Sequence, residues 1–158
     1  MRRCLVPIAL TLLAIAPLAA AELDQHGKAH PWMGATDRYT VIDFAAAWCG
    51  PCWQTLPKLQ VLAQAHPSVD FLVVSVDDEV EGRDRLVEGI PLTIPVLWDE
   101  DYVIAEHYRP AAMPATFVLD PDGEVIYQHV GSAQKDWLTF EKLIEDLPSA
   151  KKPSTDDS

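Results

Sequence analysis

The chain has 158 residues, 49% of them apolar, and carries 24 acidic against 12 basic residues for a formal net charge of −12. That length suits one domain with a sizeable core, and so acidic a surface argues against nucleic acid or anionic membrane as a partner. Of the three cysteines, Cys49 and Cys52 stand too close together to clamp distant segments as the structural staples of exported domains do.

The chain starts with Met1-Arg2-Arg3, an apolar run from Leu5 to Ala21 broken by Pro7 and Pro17, and the small residues Ala19-Ala20-Ala21. This is the layout of a secretory signal. Residues 1–21 are therefore expected to be a signal peptide cleaved near Ala21, which sends the protein to the periplasm or otherwise out of the cytosol. The alternative is a membrane anchor left uncleaved, but the run is shorter than the roughly 20 apolar residues a spanning helix takes. Arg2 and Arg3 supply the charged start, and Cys4, ahead of the apolar stretch, is given no role. The domain proper is expected over 22–147, followed by a small, polar, disordered tail over 148–158.

Within that domain, Tyr39 to Phe44 is a β-branched and aromatic run that reads as a buried strand, with Asp43 as its oddity. From Cys49 to about Ala65, Trp53, Leu56, Leu59 and Leu62 recur at helical spacing, and Pro57 should bend that helix. Val69 to Val76 is almost continuously apolar, as in a strand covered on both faces. Strand, helix and strand in this order predict a parallel pair with a right-handed crossover. Asp77 to Gly89 predicts a helix with Val80, Leu86 and Val87 on one side. A short apolar run, Pro95 to Trp98, and a helix from Tyr102 to His107 follow. Ala115–Leu119 and Glu124–Val130 flank Asp120-Pro121-Asp122-Gly123, a hairpin turn by its chemistry. A last helix, Gln134 to Leu147, should turn Trp137, Phe140, Leu143, Ile144 and Leu147 to the core and stop at Pro148. The whole is an α/β fold with a central sheet flanked by helices.

The chemistry gathers at Trp48-Cys49-Gly50-Pro51-Cys52. Two thiols three positions apart at a helix start can close a small disulfide ring, with the first sulfur exposed and the second sheltered. Unpaired backbone N–H groups and the helix dipole favour the thiolate at Cys49, the expected nucleophile. Cys52 is the resolving thiol. Gly50 lets a partner's backbone approach, and Pro51 suits a first helical turn. A zinc site would need two more ligands, and His26, His30, His66, His107 and His129 are scattered along the chain. Haem attachment would need histidine at 53, which is Trp. No metal and no cofactor is called for.

Asp43-Phe44, then Trp48 to Cys52, then Pro57 match the active-site signature of the thioredoxin superfamily in identity and spacing, and the chain is identified as a member of that superfamily. Met113-Pro114, ahead of the strand Ala115 to Leu119, resembles the cis-proline loop of these proteins. That likeness implies that Met113 and Pro114, with Trp48, Gly50 and Pro51, face an extended substrate segment. Within the superfamily the chain is similar to the exported TlpA/ResA-like reductases, whose insertion the stretch from Glu79 to His107 resembles.

Two departures concern Asp43. Many members of that branch have Asn there, while thioredoxins pair this aspartate with a lysine that has no counterpart in Leu72-Val73-Val74-Ser75-Val76. Asp43 is therefore expected to be buried without a cation, its pKa raised, and to act as general base for Cys52, through a water. Trp48 and Trp53 should shield the site, and Trp32, Trp98 and Trp137 should pack in or near the core. The likeness implies reduction of disulfides in exported proteins, with cytochrome c maturation as one setting. The partners it implies are protein disulfides and a membrane electron donor of the DsbD/CcdA type, with the protein itself a monomer. A disulfide oxidase or isomerase on the same fold is the first alternative; a redox-inactive binding module or metal carrier is the second.

Overall fold

The computed structural model describes residues 21–34 and 36–148; the segment ahead of Ala21 and the tail from Ser149, with the expectations placed on them, lie outside the described residues. Ala21–Leu23 (β1) and Ala29–Pro31 (β2) form an antiparallel hairpin. Asp24 shapes its turn. Oδ1 accepts from the N–H groups of His26 and Lys28 at 2.8 and 2.9 Å, and Oδ2 lies 2.8 Å from Nε2 of His30.

Five strands make the main sheet: Thr40–Ala45 (β3), Asp70–Ser75 (β4), Val96–Trp98 (β5), Ala115–Leu119 (β6) and Val125–Val130 (β7), ordered β5-β4-β3-β6-β7. β3, β4 and β5 run parallel, while β6 is antiparallel to both β3 and β7. The hairpin turn is as the sequence predicts: Gly123 takes φ 88°, and Asp120 Oδ1 accepts from the N–H groups of Asp122 and Glu124.

Four helices join these strands: Cys52–Ala65 (α1), Val80–Gly89 (α2), Val103–Tyr108 (α3) and Gln134–Asp146 (α4). Strand alternation tells which helices cover which face. Ile42 and Phe44 point one way, and Phe44 meets Phe117 and Tyr108, whose rings lie 5.7 and 6.0 Å away. Tyr108 ends α3 and packs on Trp32, so this face belongs to α3 and Trp32.

Val41 and Asp43 point the other way. Val41 pairs with Val118 and Val118 with Tyr127, whose ring stacks on Phe140 of α4 at 6.1 Å. Lys58 of α1 in turn lies over the Trp137 ring of α4, 5.7 Å from its centre. α1 and α4 thus share the face that Asp43 enters. Trp53 of α1 rests against Gly89 of α2, where a Cβ would come within 2.5 Å of the indole, so α2 sits beside α1.

β3, buried along its whole length, is the middle strand and runs straight into the cysteine loop. At the β5 edge, Asp24 bridges to Leu97, and the Gln25 amide donates to Ile94 O and accepts from Val96 N–H at 2.7 Å. The β1–β2 hairpin therefore covers that edge. Among the described residues no strand lies beyond β7, the opposite edge. No helix among them is long and apolar enough to cross a membrane.

Candidate active site

Cys49 and Cys52 are joined in a disulfide with their Cα atoms 5.3 Å apart. The helix begins at Cys52, so Cys49 sits in the turn before it rather than in its first turn. That turn is closed by Cys49 N–H on Ala46 O and Cys52 N–H on Cys49 O, each at 3.0 Å. The Cys52 N–H also lies 3.3 Å from Cys49 Sγ. Once the pair is reduced, this donor and the start of α1 favour a thiolate at Cys49. Pro51, at the helix start, uses no N–H that the helix would need. The expected exposed sulfur is corrected in degree: Cys49 is only 5% exposed, against 0% for Cys52. The order of access stands, because Cys49 lines the groove and Cys52 does not.

Beside the disulfide runs a groove of about 730 Å³ whose walls include Trp48, Gly50, Pro51, Val76, Tyr102 and Met113. The Met113–Pro114 bond is cis, with Pro114 buried and Met113 half-buried on the groove. Trp48 is 65% exposed and lines the groove beside Cys49. Trp53 is the tryptophan that packs, and its Nε1–H donates to Ala47 O at 2.9 Å.

Asp43 is buried on the face shared by α1 and α4, the side on which Cys52 opens its helix. Its neighbour on β4 is Val73, so no cation comes from that strand. Its neighbour on β6 is Thr116, whose hydroxyl donates to Oδ1 at 2.7 Å, while Oδ2 has no hydrogen-bond partner among the described residues. Burial pushes the carboxyl up to about 7, against the opposing pull of the Thr116 hydroxyl. Trp48, Cys49, Gly50, Pro51 and Met113 thus meet on one groove, with Cys52 bonded to Cys49 and Pro114 next to Met113, while Asp43 lies buried near the end of β3 that leads into the cysteine loop.

Two residues that the sequence reading passed over complete the site. Thr116 could be found only from strand register, which one chain does not reveal. Asp77, just past β4, is buried; both its oxygens lie 3.0 Å from the Ala47 N–H, and Oδ2 also accepts from the Ser75 hydroxyl at 2.8 Å. Asp77 and Trp53 therefore grip the two sides of the Ala47 residue, two positions before Cys49. Gly82 lies directly on Asp77: a Cβ there would come within 2.2 Å of its carboxyl carbon. Gly82→Ala, although a better helix former, should destabilise the protein by about 1–3 kcal/mol in urea unfolding, because the displaced carboxylate leaves the half-buried Ala47 N–H without its acceptor.

Residues 14–128 match the AhpC/TSA family. The chain is 30% identical over 111 residues to Sporulation thiol-disulfide oxidoreductase A of Bacillus subtilis; the match takes in 67% of this chain but 64% of that protein, so the chain spans less than two thirds of its length. To Thioredoxin H2-1 of Oryza sativa subsp. japonica it is 35% identical over 136 residues, 86% of this chain and 78% of the other. Among solved structures, StoA from Bacillus subtilis superposes with a TM-score of 0.67 at 22% identity over 79% of this chain and 98% of that one, a likeness of fold. Since the family match runs through most of the chain and takes in both the Cys49–Cys52 pair and cis-Pro114, the chain belongs to the AhpC/TSA family of the thioredoxin superfamily.

Proposed function

We propose that the chain is a thiol–disulfide oxidoreductase that reduces disulfides of exported proteins. The observation that carries this reading is a Cys49–Cys52 disulfide set at a helix start and opening on a groove walled by the cis-proline loop. In the reduced enzyme, the Cys49 thiolate attacks one sulfur of a client disulfide. The client S–S bond breaks, one client sulfur leaves as a thiolate, and the other is held to Cys49. Asp43, one of whose oxygens has no hydrogen-bond partner among the described residues, takes the Cys52 proton through a water. The Cys52 thiolate then attacks Cys49 Sγ and releases the second client thiolate. Two electrons have passed from the enzyme to the client, and the Cys49–Cys52 disulfide is restored.

The groove-side backbone at Met113 is suited to hold the client segment as an added strand. The export-signal layout of Met1–Ala21 supports action outside the cytosol. A reductant working there must be recharged, which supports a membrane electron donor of the DsbD/CcdA type, with cytochrome c maturation as one setting. Reduction, rather than oxidation, follows from the Gly50-Pro51 dipeptide shared with thioredoxins, which lie near −270 mV, whereas strong oxidants lie near −120 mV. Equilibration of the pair with glutathione or dithiothreitol should give a potential at the reducing end, and reduced protein should precipitate insulin by cleaving its disulfides. A potential above about −150 mV would replace this reading with an oxidase or isomerase.

A further inference from the structure

The charge of the chain is unevenly placed. Asp77 to His107 holds ten carboxylates and two arginines, a net −8 out of −12 for the whole sequence. One of those arginines, Arg83, is already paired with Asp84 at 2.6 Å. Of this acidic stretch, Asp78, Tyr102 and Ala105 line the groove.

Asp78 is the one charged side chain on the groove among the described residues. It is exposed, and its Oδ1 accepts from the Tyr102 hydroxyl at 2.5 Å. Tyr102, with φ 57° just ahead of α3, lines the groove together with Trp48 and is 38% exposed. The phenol is held above its ordinary range, chiefly by that hydrogen bond, next by loss of water around it, and then by the negative fields of Asp78, Asp77 and Asp99. A negative potential therefore reaches the mouth of the groove, while the surfaces of Trp48, Val76, Ala105 and Met113 are apolar.

The geometry points to a client segment that carries lysine or arginine close to its disulfide cysteine, with an apolar side chain seated between Trp48 and Tyr102 and the cation over Asp78. This inference rests on the disulfide-reductase reading and adds the class of substrate. An apolar groove alone would accept many sequences; the one-signed wall speeds encounter with cations and repels acidic segments. The attraction is between exposed groups, so salt must weaken it.

The test uses two synthetic peptides, each a symmetric disulfide of a single cysteine next to a leucine, flanked in one by lysines and in the other by glutamates. Each rate with the dithiothreitol-reduced full chain is divided by the rate of the same peptide with dithiothreitol alone, which removes the effect of the charges on the sulfur itself. The corrected rate for the lysine peptide should be about tenfold higher at low salt, a gap that shrinks toward unity at high salt. Asp78→Lys should narrow the gap at least threefold, and as both Asp78 and Tyr102 are exposed, folding is not at risk. Equal corrected rates, or a gap untouched by Asp78→Lys, would overturn the inference while insulin reduction persists. Failure to reduce both peptides and insulin would instead overturn the reading on which it rests.

Discussion

Cys49→Ser is expected to bring insulin reduction down to the rate of buffer alone, because a hydroxyl at that position supplies no thiolate at neutral pH. Cys52→Ser should behave differently. Its Cys49 still attacks, but nothing resolves the product, so mixed disulfides accumulate and appear in mass spectra as adducts on Cys49. Burial makes the asymmetry sharp, since Cys52 has no exposed surface and Cys49 retains a little. Adducts on Cys52 in the Cys49→Ser protein, at the level seen with Cys52→Ser, would reverse the assigned order of attack. Substantial insulin reduction by Cys49→Ser would remove the pair from the chemistry altogether and favour a redox-inactive binding module. Trapping in extracts of the host's exported proteins would also show which clients the groove selects.

A second large effect is expected at Asp43. With its pKa near 7, about half of the carboxyl carries a proton at neutral pH, a condition suited to exchange with Cys52. The rate of mixed-disulfide resolution should rise with pH through that region. Asp43→Asn should remove the rise and slow the reaction at pH 7 by about 10²-fold. Thr116→Val deletes the hydrogen bond that favours the charged form, so the midpoint should move up, and Thr116→Ser should restore it.

Stability gives an independent reading of the same group. The folded protein holds a proton on Asp43 that the unfolded chain releases near the ordinary carboxyl value of 3.8. The stabilisation tied to this proton is therefore complete below pH 4 and disappears as pH rises to about 7, a loss on the order of 4 kcal/mol. Urea unfolding of oxidised wild type should show that decline between pH 4 and 8, and Asp43→Asn should lack it. Parallel stability curves for the two proteins would place the titration of Asp43 outside this range.

Much of this site was legible because its signals are local. The Trp48–Cys52 segment, Pro57 and the apolar run into Asp43 stand close together in sequence, and the Asp120–Gly123 turn carries its own chemistry. The helices lie within about three residues of their expected bounds for the same reason. What could not be read is non-local. Thr116 matters because β6 sets it opposite Asp43, 73 residues away, and Asp77 because it reaches back to the Ala47 amide 30 residues earlier. In a list of residues both resemble ordinary polar positions. Gln60 is similar: from the middle of α1 its amide oxygen accepts from the N–H groups of Thr93 and Ile94, positioning the approach to β5. How far Trp48 stands out into solvent is likewise set by its surroundings in the folded chain, not by its place in the motif.

The hairpin laid along β5 has a consequence for self-association. A sheet with two bare edges can recruit copies of itself on either side without limit, and such growth ends in fibres. Here Asp24, Gln25 and their hairpin occupy one edge, and β7 is the other. Two molecules joined through β7, which no other strand pairs among the described residues, would occupy each other's edge and stop at a closed pair. Strand-by-strand polymerisation would first require the β1–β2 hairpin to peel away.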